Sequence, residues 1–269
     1  MKLNFYKYHG AGNDFILLDN RNGMYDNLSD EQREFLCNRH LGIGADGLML
    51  LQNADTADFE MVYCNSDGRK ASMCGNGGRC IVAFAKQLNI IHQDTCFTAY
   101  DGLHSATVVE WDENKREGVV KLKMELATDI TKCLSGHFVD TGSPHYVEIL
   151  DEDVINSYNV VEEGRKLRNN NAFAPNGTNV DFINPVAEDT IRVATYERGV
   201  EDETLSCGTG VVASALIWAE QTTKALSKVY VKTKGGDFEV SFQKNTQGKY
   251  ENIYLQGPVR FVFEGTIEV

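Results

Sequence analysis

The stretch "SDGRKASMCGNGGRC" (66–80) sets a cysteine, Cys74, directly before a glycine-rich turn. Such turns at the start of a helix commonly hold anions, because unpaired N–H groups and the positive end of the helix dipole gather there. A thiol at the mouth of one calls for a different chemistry. A second stretch, "ETLSCGTGVVASA" (203–215), repeats the arrangement around Cys207, 133 residues further on in a chain of 269. "HGAGNDFILL" (9–18) likewise resembles "DTGSPHYVEIL" (140–150), and lining up Gly12 with Gly142 gives an offset of 130. Two pairs at nearly one offset argue for an internal repeat. The chain reads as two similar halves.

Apolar or alternating β-rich runs predict strands at 3–8, 14–19, 47–52, 58–64, 104–111 and 117–124, and again at 145–150, 179–184, 190–197, 228–233, 237–242 and 250–255. Helices are few. "SDEQREFLCNRH" opens with Ser29 and Gln32 at capping-box spacing. One longer helix follows each cysteine, at about 76–89 and about 209–224, and carries "CIVAFA" or "VVASALIWA", apolar on nearly every side. A helix of that kind is surrounded by protein. The expected fold is therefore mixed, strand-rich α/β: two pseudo-symmetric domains, each a set of strands around a central helix, with the active site in the cleft between them. The best boundary lies near 125–136, giving residues 1–126 and 127–256, and the tail 257–269 could return to either half.

Composition narrows the classes of function. An apolar fraction of 42% and a charged fraction of 24% are ordinary for a globular protein. A net charge of −13 argues against nucleic acid, whose binding rests on Lys and Arg neutralising phosphates. It does not forbid an anionic small substrate held by one local arginine. "MKLNFYKYHGAGNDF" (1–15) lacks the apolar core of a signal peptide and no apolar run of 18 residues occurs, so a cytoplasmic protein with no membrane partner is expected. Seven scattered cysteines do not make a disulfide scaffold. Zinc also fits poorly, since nine and five residues separate Cys64, Cys74 and Cys80. Cys37, Cys64, Cys80, Cys96 and Cys133 read as small buried apolar residues. "GIGADG" (42–47) matches a dinucleotide fingerprint, but a helix precedes it and a strand follows, the reverse of what nucleotide binding needs. It is a turn.

The two cysteine turns suggest one chemistry. A helix N-terminus lowers a thiol's pKa from about 8.5 toward neutrality, and glycines at 75, 77, 78, 208 and 210 let backbone approach a ligand. Two such turns facing across a cleft would hold one carboxylate between two helix ends, with a sulfur on each face of the adjacent carbon. A thiolate could remove the α-proton from one face while a thiol returns one to the other. The helix-end N–H groups would stabilise the enediolate charge. A dithiol redox protein and a non-catalytic amino-acid-binding protein remain alternatives. The first usually spaces its cysteines closely, and the second needs neither thiol.

At these residues the chain resembles the diaminopimelate epimerase family along its whole length. "GAGNDF" (10–15), "NSDGRKASMCGNGGRC" (65–80), "GSPH" (142–145), "NGTNVDF" (176–182) and "YERGVEDETLSCGTG" (196–210) stand in the family's order and spacing. The resemblance implies an isomerase without cofactor, metal or pyridoxal phosphate that interconverts LL- and meso-diaminopimelate for lysine and peptidoglycan synthesis. It further implies a homodimer whose C-terminal tail returns to the first domain. By this resemblance Cys74 and Cys207 are the two bases. Gly75-Asn76 and Gly208-Thr209 give backbone N–H groups to the α-carboxylate. Asn13, Asn65 and Asn179 bind substrate, as do Glu197 and Arg198, and His145 and Glu197 adjust the thiols. Two positions depart: Gly47 replaces a glutamine of some members, and Ser143 replaces an asparagine of many. Proline racemase-like and hydroxyproline epimerase-like enzymes are the nearest rivals, and the Glu197-Arg198 pair and "GNDF" favour the acyclic diacid.

Overall fold

A computed structural model of the chain describes residues 1–71, 73–126, 128–150 and 154–269. Ser72 of the 65–80 motif and Ala127 within the 125–136 stretch lie outside the described residues. The chain forms two compact units, Met1–Leu122 with Gly257–Val269 and Lys123–Gln256.

Unit 1 begins with strands β1 (Lys2–Gly10) and β2 (Asn13–Asp19), then helix α1 (Asp30–Cys37), strands β3 (Gly47–Gln52) and β4 (Phe59–Asn65), helix α2 (Gly75–Gln87), and strands β5 (Asp94–Ala99), β6 (Gly102–Asp112) and β7 (Glu117–Met124). Unit 2 runs β8 (Thr131–Cys133), β9 (Gly136–Asp140), β10 (Pro144–Ile149), α3 (Val160–Arg168), β11 (Asn179–Ala187), β12 (Thr190–Glu197), β13 (Asp202–Thr204), α4 (Gly208–Gln221), β14 (Lys228–Lys232), β15 (Asp237–Lys244) and β16 (Tyr250–Glu268). β16 starts in unit 2 and ends in unit 1.

The two units follow one plan. In unit 1 an antiparallel pair, β1–β2, is joined through α1 to a parallel neighbour, β3, and β4 is joined through α2 to a second parallel neighbour, β5. In unit 2 the antiparallel pair β9–β10 leads through α3 to parallel β11, and β12 leads through α4 to parallel β14. The central helices occupy equivalent places. α2 is buried from Gly75 to Ala85 and packs on β1, β2, β3 and β6. α4 packs on β9, β10, β11, β12, β14 and β15. The strand-rich α/β fold with one enclosed helix per unit is the one that the apolar helices implied.

Both faces of the inner strands are covered, and this explains their unbroken apolar runs. On β2, Phe15, Ile16, Leu17 and Leu18 are all fully buried. Ile16 and Leu18 pack with Leu28, Leu36 and Cys37 beneath α1, leaving Phe15 and Leu17 to the opposite, α2-facing side. In unit 2, Val180 and Phe182 join Val160 and Tyr196 beneath α3. The strand order also differs between the units. In unit 1 it runs from β1 to β7 and then to β16, which pairs back onto β1, closing a ring.

Several elements escape the sequence pattern: β5, β8, β9, β13 and α3 were not anticipated, and β16 continues to Glu268 instead of stopping near 255. One cysteine expectation also fails. Cys96 is exposed, because on β5 the inward places belong to Thr95 and Phe97, and Cys133, at the end of β8, is half-buried.

Candidate active site

Each cysteine turn is set on one edge of its unit by strand ends. In unit 1, Phe15 pairs with Gly47 and Gly47 with Asn65, so the starts of β2 and β3 and the end of β4 lie side by side. In unit 2, His145 pairs with Asn179 at the starts of β10 and β11. Glu197 ends β12, one step beyond the Val180–Tyr196 pair. The candidate residues therefore gather where the central helix of their own unit begins.

Cys74 is the N-cap of α2, with extended backbone and no side-chain cap bond. Its thiol lies 3.7 Å from Asn13 Oδ1, which also accepts from Asn76 Nδ2 at 3.2 Å. Asn13 Nδ2 donates to Asp46 Oδ2 at 2.7 Å. Asp46 is ion-paired to Arg39 at 2.7 Å, Arg39 to Asp14 at 2.7 Å, and Asp14 to the buried Lys7 at 2.6 Å. Burial would raise the Asp14 carboxyl, but the hydrogen bonds from Arg39 and Lys7 outweigh it and hold the group well below the carboxylate range. This chain of charges fixes which way the Asn13 amide points. Beneath the turn sits Arg79, fully buried, donating to Asn76 Oδ1 at 2.8 Å and to Gly75 O at 3.2 Å.

Cys207 is likewise the N-cap of α4, and it is buried. Its sulfur lies 3.4 Å from Thr209 Oγ1, Thr209 Oγ1 lies 2.8 Å from His145 Nε2, and His145 Nδ1 lies 2.6 Å from Asp181 Oδ2. Thr195 donates to the other Asp181 oxygen at 2.6 Å. His145 and Asp181 are both fully buried. Gly210 has to be glycine: a Cβ there would lie 2.4 Å from Asp181 Oδ1 and 3.1 Å from the His145 ring. The expectation that a helix end brings the thiol toward neutrality fails at Cys207. Burial pushes its pKa well above the usual thiol value, and the Glu197 and Asp181 carboxylates add to the rise, against hydrogen bonds from Thr209 and Gly210.

The remaining candidates differ in what they present. Asn65 is exposed at the end of β4. Glu197 and Arg198 are half-buried. Asn179 is buried and already engaged: its Nδ2 donates to Ser143 Oγ and to Pro144 O at 2.8 and 2.9 Å, and its Oδ1 accepts from the Arg198 backbone N–H at 2.9 Å. Asn179 thus ties the "GSPH" turn to the Glu197-Arg198 segment. Among the described residues no three His, Cys, Asp or Glu side chains group as a metal site. No helix among them is long and apolar enough to cross a membrane.

A family profile described as diaminopimelate epimerase matches residues 5–125 and 137–262. The chain belongs to the diaminopimelate epimerase family. It is 44% identical to the diaminopimelate epimerase of Flavobacterium psychrophilum, over 99% of this chain and all of that one. The diaminopimelate epimerase of Chlorobaculum tepidum is also 44% identical, over 96% of this chain and 98% of its own. Among solved structures, a PhzF-family phenazine biosynthesis protein of Bacillus anthracis superposes with a TM-score of 0.77 at 14% identity, over the whole of both chains. A hydroxyproline epimerase of Agrobacterium vitis gives 0.69 at 16% identity, over 99% of this chain and 91% of its own. At such identities these structures share the fold alone.

Within the family, the two departures acquire a physical setting. A Cβ at Gly47 would lie 2.6 Å from the Tyr63 ring and 2.9 Å from its hydroxyl, so the tyrosine fills the space a longer side chain at 47 would need. Ser143 takes a bond from Asn179. Sequence reasoning missed Arg79, Asp46 and Asp181. A signal existed for two of them, each a lone charge inside an apolar run, "GGRCIVAFA" and "NVDFIN".

Proposed function

We propose that the protein interconverts LL- and meso-diaminopimelate by passing the α-proton between Cys74 and Cys207, with no cofactor. The observation that carries this reading is the repeated placement of a cysteine as N-cap of the enclosed helix in each of two like units, in a chain of this family. In the proposed cycle the α-carboxylate takes backbone N–H groups at Gly75-Asn76 and Gly208-Thr209, and Arg198 forks the distal carboxylate. A thiolate removes the α-hydrogen as a proton, the carbanion's charge passes to the carboxylate as an enediolate, and the other thiol protonates the opposite face. One S–H bond forms as the other breaks, and nothing is oxidised or reduced.

Cys207, held as a thiol by burial and by Glu197 and Asp181, is the donor in a first turnover and Cys74 the acceptor. Asn13, Asn65, Asn76 and Glu197 bind the substrate's polar groups, while Asn179 braces the segment that carries Arg198. A homodimer and a cytoplasmic setting, supplying lysine and peptidoglycan synthesis, complete the reading. The test is incubation with LL-diaminopimelate in heavy water. Early product should carry solvent deuterium at the inverted carbon while recovered substrate stays largely unlabelled. Equal early labelling of both pools would mean one freely exchanging base.

A further inference from the structure

We propose that Tyr63 is a further substrate-binding residue, its hydroxyl standing where a longer side chain at position 47 would otherwise reach. The inference rests on the reading of the Cys74 turn as one half of a diaminopimelate site.

The strand register sets the ring in place. Successive residues of β4 alternate between the two faces of the sheet. Val62 packs with the cluster beneath α1, so Met61, Tyr63 and Asn65 stand on the opposite face, toward α2. Met61 shows the same side: its methyl group lies 3.6 Å from where a Cβ on Gly77 of α2 would be, and the Cys74 Cβ is equally far from that point. Tyr63 is the next side chain along this face, between Met61 and the candidate Asn65. Gly47 pairs with Asn65, which makes Tyr63 its diagonal neighbour, within an aromatic side chain's reach. The ring lies over the glycine, with Cε2 and the hydroxyl oxygen 2.6 and 2.9 Å from where a Cβ at 47 would be. Phe15 meets the ring edge-on, centroids 6.2 Å apart at 73°.

The glycine at 47 and the tyrosine at 63 are therefore one choice. With Tyr63 in place, position 47 cannot hold the glutamine that some members of the family carry there. A phenol stands in its stead, and like an amide it can both donate and accept. Its ring is half-buried, held between Gly47 and Phe15. Covering a glycine calls for the ring alone, and phenylalanine would do that as well. The surroundings are those of the candidate site. Asn13 lies two residues before Phe15 on the same face of β2, and its Oδ1 is 3.7 Å from the Cys74 thiol. Tyr63 and Asn65 flank Gly47 on one side and Asn13 on the other. The two thiols already serve as bases, so the Tyr63 hydroxyl is assigned to binding.

The test compares kcat and KM for epimerisation of diaminopimelate. Tyr63→Phe keeps the ring over Gly47 and removes the oxygen. KM should rise about tenfold, the loss of one hydrogen bond to a charged group. Both kcat and Tm should change little, as they do when only uniform binding is lost. The diaminopimelate concentration that half-protects Cys74 from iodoacetamide should rise by the same factor. A role in packing alone would leave both readings at the parent's values. Tyr63→Ala opens the space at 47, and Tyr63→Ala with Gly47→Gln should then bind better than Tyr63→Ala alone. A Tyr63→Phe enzyme with the parent's KM and protection, or a double variant no better than Tyr63→Ala, overturns the proposal. Unaltered enzyme that neither epimerises diaminopimelate nor is protected by it would overturn the substrate reading first, a result that no Tyr63 variant imitates.

Discussion

Arg79 lies five residues after Cys74, where Val212 follows Cys207 at the same distance. A guanidinium in one half thus answers an isopropyl group in the other. Burial lowers the Arg79 pKa to about 10, while its attraction to the Cys80 and Cys74 thiolates works the other way, so a thiolate at Cys74 and the cation favour one another. Arg79→Met should therefore have two effects. It removes the hydrogen bonds that Arg79 donates to Asn76 Oδ1 and Gly75 O, each worth about 1.5–3 kcal/mol for a charged donor, and it should slow Cys74 alkylation at pH 7. Arg79→Lys keeps the charge but not the fork, so it should recover alkylation more than thermal stability. An unchanged alkylation rate in Arg79→Met would separate the cation from the thiol. Cys74 and Cys207 were legible because a cysteine ahead of glycines is unusual at any position. Arg79 and Asp181 left only an ambiguous signal, since one charge within an apolar run can equally mark a solvated edge. Only the packed fold shows that Asp181 faces away from the Val180–Phe182 core and toward His145.

Among the elements, what the pattern missed has local causes. α3, "VVEEGRKLR", holds Gly164 at its middle, a residue that counts against a helix. A Cβ there would lie 2.4 Å from that of Tyr196, so the glycine is what lets the helix lie on β12. β16 passes through Gly257 and Pro258, which read as a stop, and is carried on by its pairing with β1. α1 was legible because its capping box is a purely local device, and Ser29 and Gln32 form it. The elements around α2 also carry a dependence on pH. Burial pushes Cys37 of α1 up to about 12 and raises Cys64 of β4 and Cys80 of α2 as well. Unfolded thiols ionise near 8.5 while these remain protonated, so the unfolded state binds fewer protons above that pH. Their contribution to stability is full below about 8.5 and is lost as pH rises toward the folded values. Melting followed by circular dichroism should give a lower Tm at pH 9.5 than at 7.5, with a smaller drop in Cys37→Ala. Equal drops in the two proteins would mean the Cys37 thiol is not held protonated by the fold.

At the scale of the whole molecule, two like units share one chain unequally, because the last part of β16 belongs to the first of them. A ribosome reads this asymmetry as a schedule. When residue 124 emerges, unit 1 has its strands β1 to β7 but not the one that joins β7 to β1, and both edges carry unpaired N–H and C=O groups open to other strands. Unit 2 is complete at residue 256, before unit 1 is. The half made first is therefore finished last. Chains arrested on the ribosome with residues 1–256 exposed should resist protease from about residue 123 onward while the earlier part is cut, and should become resistant throughout once residue 268 is clear. Protection of residues 1–122 at the shorter length would show that the ring of strands holds without its closing member, and that order of birth places no burden on this fold.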